Sequence, residues 1–236
     1  MAAVTDIGQG ATGSVRVLGQ GWVEANLDDG TRFPVYRPPV ADGTVTEAEL
    51  HDGMSAAQMR LLAAYHEAGH AFAMHTLKVP VGEIQLYLDG DGLGTREMNG
   101  RPGAGHTLIA GPQTYTAELG TLAMVLVAGQ VASALWLERC GELTEMRRVF
   151  TQKLAAGDHE RLLAIDAEVA VAYLYGRDDA PSGWQGTTIR VDHAEISVRG
   201  MLTAGWHLVE RLAEIVAREG KADAETITRV FSGPIT

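Results

Sequence analysis

Glu67 stands directly after one histidine and three residues before another in the stretch "LLAAYHEAGHAFAMHTL", Leu61 to Leu77. On an α-helix each residue advances about 100°, so His66 and His70 lie about 40° apart on one face, one turn above the other. Both imidazoles can then bind one metal ion. Glu67 falls on the neighbouring edge, where its carboxylate reaches a metal-held water without ligating the metal. This is the HExxH division of labour, with two imidazoles on Zn2+ and a carboxylate as general base. The metal lowers the pKa of its water to about 7, and Glu67 would take the proton during attack on a peptide carbonyl and pass it to the leaving amine. The surrounding run is apolar, and burying His and Glu there without partners would be costly, which favours a zinc site over coincidence. His75 lies nine residues past His66, about 180° around the helix, and is read as a surface or inter-domain histidine. The longer HExxHxxGxxH pattern is absent, because Ala73 occupies its glycine position.

A catalytic zinc usually takes three protein ligands and leaves one position for water. The carboxylates close in sequence are Glu83, Asp89, Asp91 and Glu97, and more distant ones include Glu118, Glu138, Asp158 and Asp166. Spacing alone does not choose among them, although Asp89 and Asp91 sit in a "DGDG" stretch that reads as a turn.

The elements that must position these groups form a mainly α chain with a small β-sheet, an α+β fold. The chain has 236 residues, 46% hydrophobic and 21% charged, enough for a large core and far from a disordered composition. A formal charge of -11 argues against nucleic acid and against anionic lipid as partners. A single cysteine, Cys140, forms no internal disulfide and supplies no thiolate zinc cluster, so a cytoplasmic protein is expected. The N-terminus lacks a signal-peptide pattern, and the most apolar segment, Leu122 to Leu137, carries Gly129, Gln130 and Ser133 and reads as a buried helix, so no membrane span is expected.

Residues 1–48 read as a small β-rich element of two or three strands with a "DDG" turn at Asp28 to Gly30, and residues 49–236 as a helical domain. Ala41 to Gly53 is polar and turn-rich, a linker. A helix is expected from Ser55 as N-cap to about Leu77, stopped at Pro80. Gly82 to Gly94 reads as an alternating strand through Ile84, Leu86 and Leu88 that ends in a glycine turn, followed by a loop, "TREMNGRPGAGHTLIAGPQ". Helices are expected at about 116–139, 144–154, 158–175, 192–218 and 223–231, with a loop at 175–188.

The run "AAYHEAGHAFAMHTL" resembles the active-site helix of the FtsH-type zinc metallopeptidase family. Three later stretches are similar in order: "VGEIQLYLDGDGLGTREM" to the family's edge strand and glycine turn, "LVAGQVASALW" to its AGRxAE helix, and "LAAGDHERLLAI" to the segment whose aspartate opens a helix. That aspartate is the family's third zinc ligand, which maps onto Asp158, with His159 and Asp166 as the next candidates. The resemblance extends over about residues 55–232, including a C-terminal helix pair in which Trp206, Leu208, Leu212, Ile215 and Val216 share a face. It departs in three ways. The chain carries no transmembrane anchor and no GxxxxGK[ST] ATPase loop, and Gln130 and Ser133 replace the arginine and glutamate of AGRxAE.

The expected function is a soluble, zinc-dependent endopeptidase acting on extended or unfolded polypeptide, with the strand around Ile84 to Leu88 pairing with substrate backbone. The expected partner is the polypeptide substrate; the N-terminal element reads first as a structural cap or an oligomer contact, with recruitment of substrate or of a separate ATPase or adaptor as the alternative, and a homo-oligomer is compatible with either. The alternative is a non-hydrolytic binding or scaffold module that keeps the fold, against which His66, Glu67 and His70 all stand intact.

Overall fold

A computed structural model describes residues 6–10, 13–19, 22–26, 32–36, 52–90, 92–94, 96–98, 101–109, 119–155, 157–158 and 191–233. In chain order the elements are strands β1 (Asp6–Gly10), β2 (Gly13–Gly19), β3 (Trp22–Asn26) and β4 (Arg32–Tyr36), then helix α1 (Ala56–Thr76). Strands β5 (Val81–Leu86), β6 (Leu88–Asp89), β7 (Gly92–Leu93), β8 (Arg96–Met98), β9 (Arg101–Gly103) and β10 (Gly105–Ile109) follow. Helices α2 (Leu119–Arg139), α3 (Glu145–Leu154), α4 (Val191–Ala204) and α5 (Trp206–Glu219), strand β11 (Lys221–Ala222) and helix α6 (Ala224–Ser232) complete the chain. The fold is α+β, mainly helical with small antiparallel sheets.

Residue contacts divide the chain into two compact units, Met1–Met54 with Gly141–His193, and Ser55–Cys140 with Ala194–Thr236. In the first, β1 to β4 form a four-stranded antiparallel sheet in sequence order, one strand more than the sequence suggested. The expected turn at Asp28 to Gly30 lies outside the described residues, between the paired Asn26 and Arg32. Helix α3 starts at Thr144, whose hydroxyl accepts from Arg147 N–H at 3.2 Å and donates to Asp52 Oδ2 at 2.7 Å. The Arg147 guanidinium donates to the Asp52 carbonyl at 3.0 Å and to Glu142 Oε2 at 2.7 Å, tying the start of α3 to the turn at Asp52 and Gly53.

The second unit is built on α1. Ser55 and Gln58 form a capping box: the Ser55 hydroxyl accepts from Gln58 N–H, and Gln58 Oε1 accepts from Ser55 N–H at 2.9 Å. The far end closes before Pro80 is reached. Lys78 takes a left-handed conformation (φ 62°), its N–H bonding the His75 carbonyl at 3.3 Å while Val79 N–H bonds the Met74 carbonyl at 2.8 Å. That paired pattern is a Schellman motif with lysine where glycine is usual. Leu62 to Met74 are all buried.

Helix α2 lies tightly against α1 because small residues meet at the contact. A Cβ on Gly69 would stand 2.5 Å from Ala132 Cβ and 2.6 Å from the Ala128 carbonyl oxygen, so the backbones approach closely only with glycine there. Gly120–Arg139 is long and apolar enough to cross a membrane by length and composition, and 61% of its most apolar window is buried within the fold. Ser133, in place of the resembled glutamate, is fully buried and donates to the Leu62 carbonyl at 3.2 Å. Gln130 donates to Glu195 Oε1 at 3.3 Å.

A single helix over 192–218 does not form. The chain breaks at Gly205 into α4 and α5, and glycine is required at that point because a Cβ on Gly205 would lie 2.0 Å from Phe72 Cζ of α1. Of the face expected on α5, Trp206, Leu212 and Val216 are buried with Val209 and Ala213, while Leu208 and Ile215 sit half-buried at its margin. The helix expected over 158–175, beyond its start, and the loop over 175–188 lie outside the described residues.

The strand expectation holds only as far as Leu86. Ile84 and Leu86 are buried, but Leu88 is 37% exposed and belongs to a separate two-residue pairing with Leu93. Tyr87 turns inward instead, its N–H bonding the Ala104 carbonyl at 2.8 Å. Within the segment read as a loop, β8 pairs with β9 and β10 pairs with β5.

Candidate metal centre

His66, Glu67 and His70 are buried together on α1, with exposures of 5, 6 and 6%. The two Nε2 atoms face each other 3.0 Å apart. Two nitrogens on one tetrahedral zinc, each about 2.0–2.1 Å from the metal, stand about 3.3 Å apart, so the pair is spaced for a shared ion. The Val125 carbonyl accepts from His70 Nδ1 at 2.7 Å. A carbonyl has no proton to give, so Nδ1 carries the hydrogen and Nε2 keeps its lone pair, which is how an outer hydrogen bond orients a metal ligand.

Helix α2 presents bare backbone to the two imidazoles. A Cβ on Gly129 would lie 2.4 Å from His70 Nε2 and 2.6 Å from both Cε1 and Nε2 of His66, so only glycine lets α2 come this close to the rings. Any other residue at 129 would fill that point with carbon. Asp158, the third candidate ligand, is buried at 8% exposure and belongs to the first unit. Two imidazoles and one carboxylate are a donor set that suits Zn2+ and other divalent first-row ions. The residues present therefore fit a metal.

The Glu67 carboxylate is held from β10. Thr107 donates to Glu67 Oε2 at 2.8 Å and lies 3.1 Å from the Glu67 carbonyl oxygen. A Cβ on Gly105, two residues earlier, would stand 3.1 Å from Glu67 Oε1. Neither residue was singled out from the sequence, since both fall in the stretch read as a loop. The available signal was the short β-prone run His106 to Ile109.

The other candidate carboxylates go elsewhere or cannot be placed. Glu83 is exposed, 3.9 Å from His106 Nε2. Asp89 is exposed, and Glu138 pairs with Arg199. The side chains of Asp91, Glu97, Glu118, His159 and Asp166 lie outside the described residues. His75 packs its ring 4.9 Å from that of Phe231. Burial, with the Lys78 ammonium adding to it, holds its pKa below the ordinary value. Tyr65, next to His66, is stacked between Trp136 and Trp206 at 5.3 and 5.4 Å, and burial together with Glu210 and Glu214 pushes its hydroxyl pKa up.

One docking expectation is corrected. Strand β5 is the middle strand of the order β10-β5-β11, with both its edges paired, so it cannot accept a further strand. The outer edge of β10 has no partner strand among the described residues.

No protein-family model matches this chain, and no curated protein matches it. The geometry and the sequence motif therefore carry the functional reading by themselves.

Proposed function

We propose that this chain is a zinc-dependent endopeptidase resembling the FtsH type, hydrolysing peptide bonds in extended or unfolded polypeptide. His66, His70 and Asp158 are the metal ligands, and Glu67 is the general base. The observation that carries this reading is the pair of buried imidazole Nε2 atoms 3.0 Å apart on one face of α1, beside the buried Glu67 carboxylate that Thr107 holds at 2.8 Å; Asp158 is the third ligand that the family resemblance implies.

Zinc held there supplies Lewis-acid activation of a water and of the scissile carbonyl. The chain's own residues do the rest. Glu67 accepts the proton of the attacking water and delivers it to the leaving amine nitrogen. Val125 keeps His70 in the tautomer that ligates. The outer edge of β10, which has no partner strand among the described residues, offers backbone N–H and C=O groups to an extended peptide, and this strand also carries the residues beside Glu67. Any unfolding energy would come from a separate ATPase or adaptor.

The test is metal content and cleavage of β-casein by the zinc-loaded protein. Glu67→Gln is expected to keep its zinc and lose at least about 10²-fold in cleavage rate. Asp158→Ala is expected to weaken zinc binding by at least about tenfold. Stoichiometric zinc in the wild type with no Glu67-dependent cleavage would overturn the peptidase reading in favour of a non-hydrolytic binding module.

A further inference from the structure

Strand β10 places two of its residues against the Glu67 carboxylate, and their roles differ. Thr107 pairs across the sheet with Ile84, which is fully buried. Side chains alternate along a strand, so Gly105 and Thr107 face α1 while His106 faces the other way, where its Nδ1 lies 2.7 Å from the Tyr87 hydroxyl. The register that buries Ile84 is thus the register that aims Thr107 at Glu67. A slip of one residue would present His106 there instead.

A threonine hydroxyl has one proton to donate. Two acceptors lie within reach, Glu67 Oε2 at 2.8 Å and the Glu67 backbone carbonyl at 3.1 Å. The nearer one, the carboxylate oxygen, takes the shorter bond. Oε2 is therefore tied to the strand. Oε1 is left beside Gly105, in space that a Cβ would narrow to 3.1 Å. A base that takes a proton from water with one oxygen needs this asymmetry, with one oxygen held and the other accessible.

We propose that Thr107 is a positioning residue for the general base: its hydroxyl pins Glu67 Oε2 to strand β10 so that Oε1 alone is presented for proton transfer. The proposal rests on the metallopeptidase reading above. Thr107 does not touch the reacting atoms. It sets the orientation of a group that does, and it does so from a strand whose outer edge has no partner among the described residues, so base and docked substrate would share one rigid element.

The test compares Thr107→Val, which keeps the shape and removes the hydroxyl, with Thr107→Ser, which keeps the hydroxyl, in the zinc-loaded full chain with β-casein as substrate. Thr107→Val is expected to lower kcat about 10- to 100-fold with KM within about twofold and zinc content unchanged, since misorienting a catalytic group by about 1 Å costs up to about 10²-fold. Thr107→Ser is expected to stay within about threefold of wild type, on the same orientation argument. A second readout is independent of activity. Thr107→Val should lower the urea midpoint when Glu67 is present and leave it unchanged in combination with Glu67→Ala, a double-mutant cycle on the pair.

A kcat for Thr107→Val equal to wild type, or a midpoint loss identical in both backgrounds, overturns the proposal and leaves the hydroxyl as a strand-to-helix tie through the backbone carbonyl. A zinc-loaded wild type that cleaves nothing overturns the peptidase reading and the positioning role with it. A cleaving wild type with an indifferent Thr107→Val overturns the positioning role alone.

Discussion

The two faces of α1 use the same packing device for opposite ends. On one face His66 and His70 meet Gly129 of α2, and on the other Phe72 meets Gly205 between α4 and α5. In each case a side chain of α1 occupies the space beside a glycine backbone where a Cβ would otherwise stand. Around Gly205, between α4 and α5, that space is filled by an aromatic ring. At Gly129 the helix continues unbroken, and the rings that crowd the space are two imidazoles whose Nε2 atoms lie 3.0 Å apart. A close approach filled by carbon is packing. One lined by donors is a site, and the difference lies in the residues of α1 rather than in the glycine.

The comparison can be broken most sharply at residue 129. Gly129→Ala puts a methyl 2.4 Å from His70 Nε2 and 2.6 Å from His66 Nε2, too close for either ring to stay in place, and zinc affinity is expected to fall at least about 10²-fold by calorimetry. An unchanged affinity would mean that the placement of the two rings against α2 is not what holds the ion. Gly205→Ala should do the reverse, lowering unfolding stability by about 1–3 kcal/mol through overpacking against Phe72 while leaving zinc affinity within about twofold. Pairing it with Phe72→Leu should recover part of that loss, and a failure to recover any would show that the ring is not what the methyl meets.

The smallest effect is expected at His75, on the apolar face. Its folded-state pKa lies below the ordinary 6.5, with burial as the larger cause and Lys78 second. The unfolded chain therefore binds the proton more readily, so the contribution of His75 to stability is fully present above pH 6.5 and is lost as pH falls below that value towards the lowered folded-state pKa. Urea midpoints measured from pH 7.5 to 5 should fall slightly less steeply in His75→Asn than in wild type. Equal slopes would remove His75 from the pH dependence.

How much of this was legible in the sequence follows from the range of each signal. The limits of α1 were readable because Ser55 and Gln58 act within three residues of each other. The His66–His70 pairing was readable because helical geometry relates positions four apart whatever surrounds them. The close approach at Gly205 was not, since the ring that the glycine admits is Phe72, more than a hundred residues earlier. The same holds for β10. Its glycine-rich surroundings read as loop, and only pairing with β5 makes it a strand.

The sequence by itself determined the donor types, the helix that carries two of them, and the exclusion of His75 from their face, because these depend on covalent order and helical pitch alone. Tertiary structure decided which backbone stays bare beside the imidazoles, which hydroxyl meets Glu67, and which strand lies between two others in the sheet. Each of those depends on atoms brought together by packing and by strand register, and residues far apart in sequence carry no local mark of the partner that folding will give them.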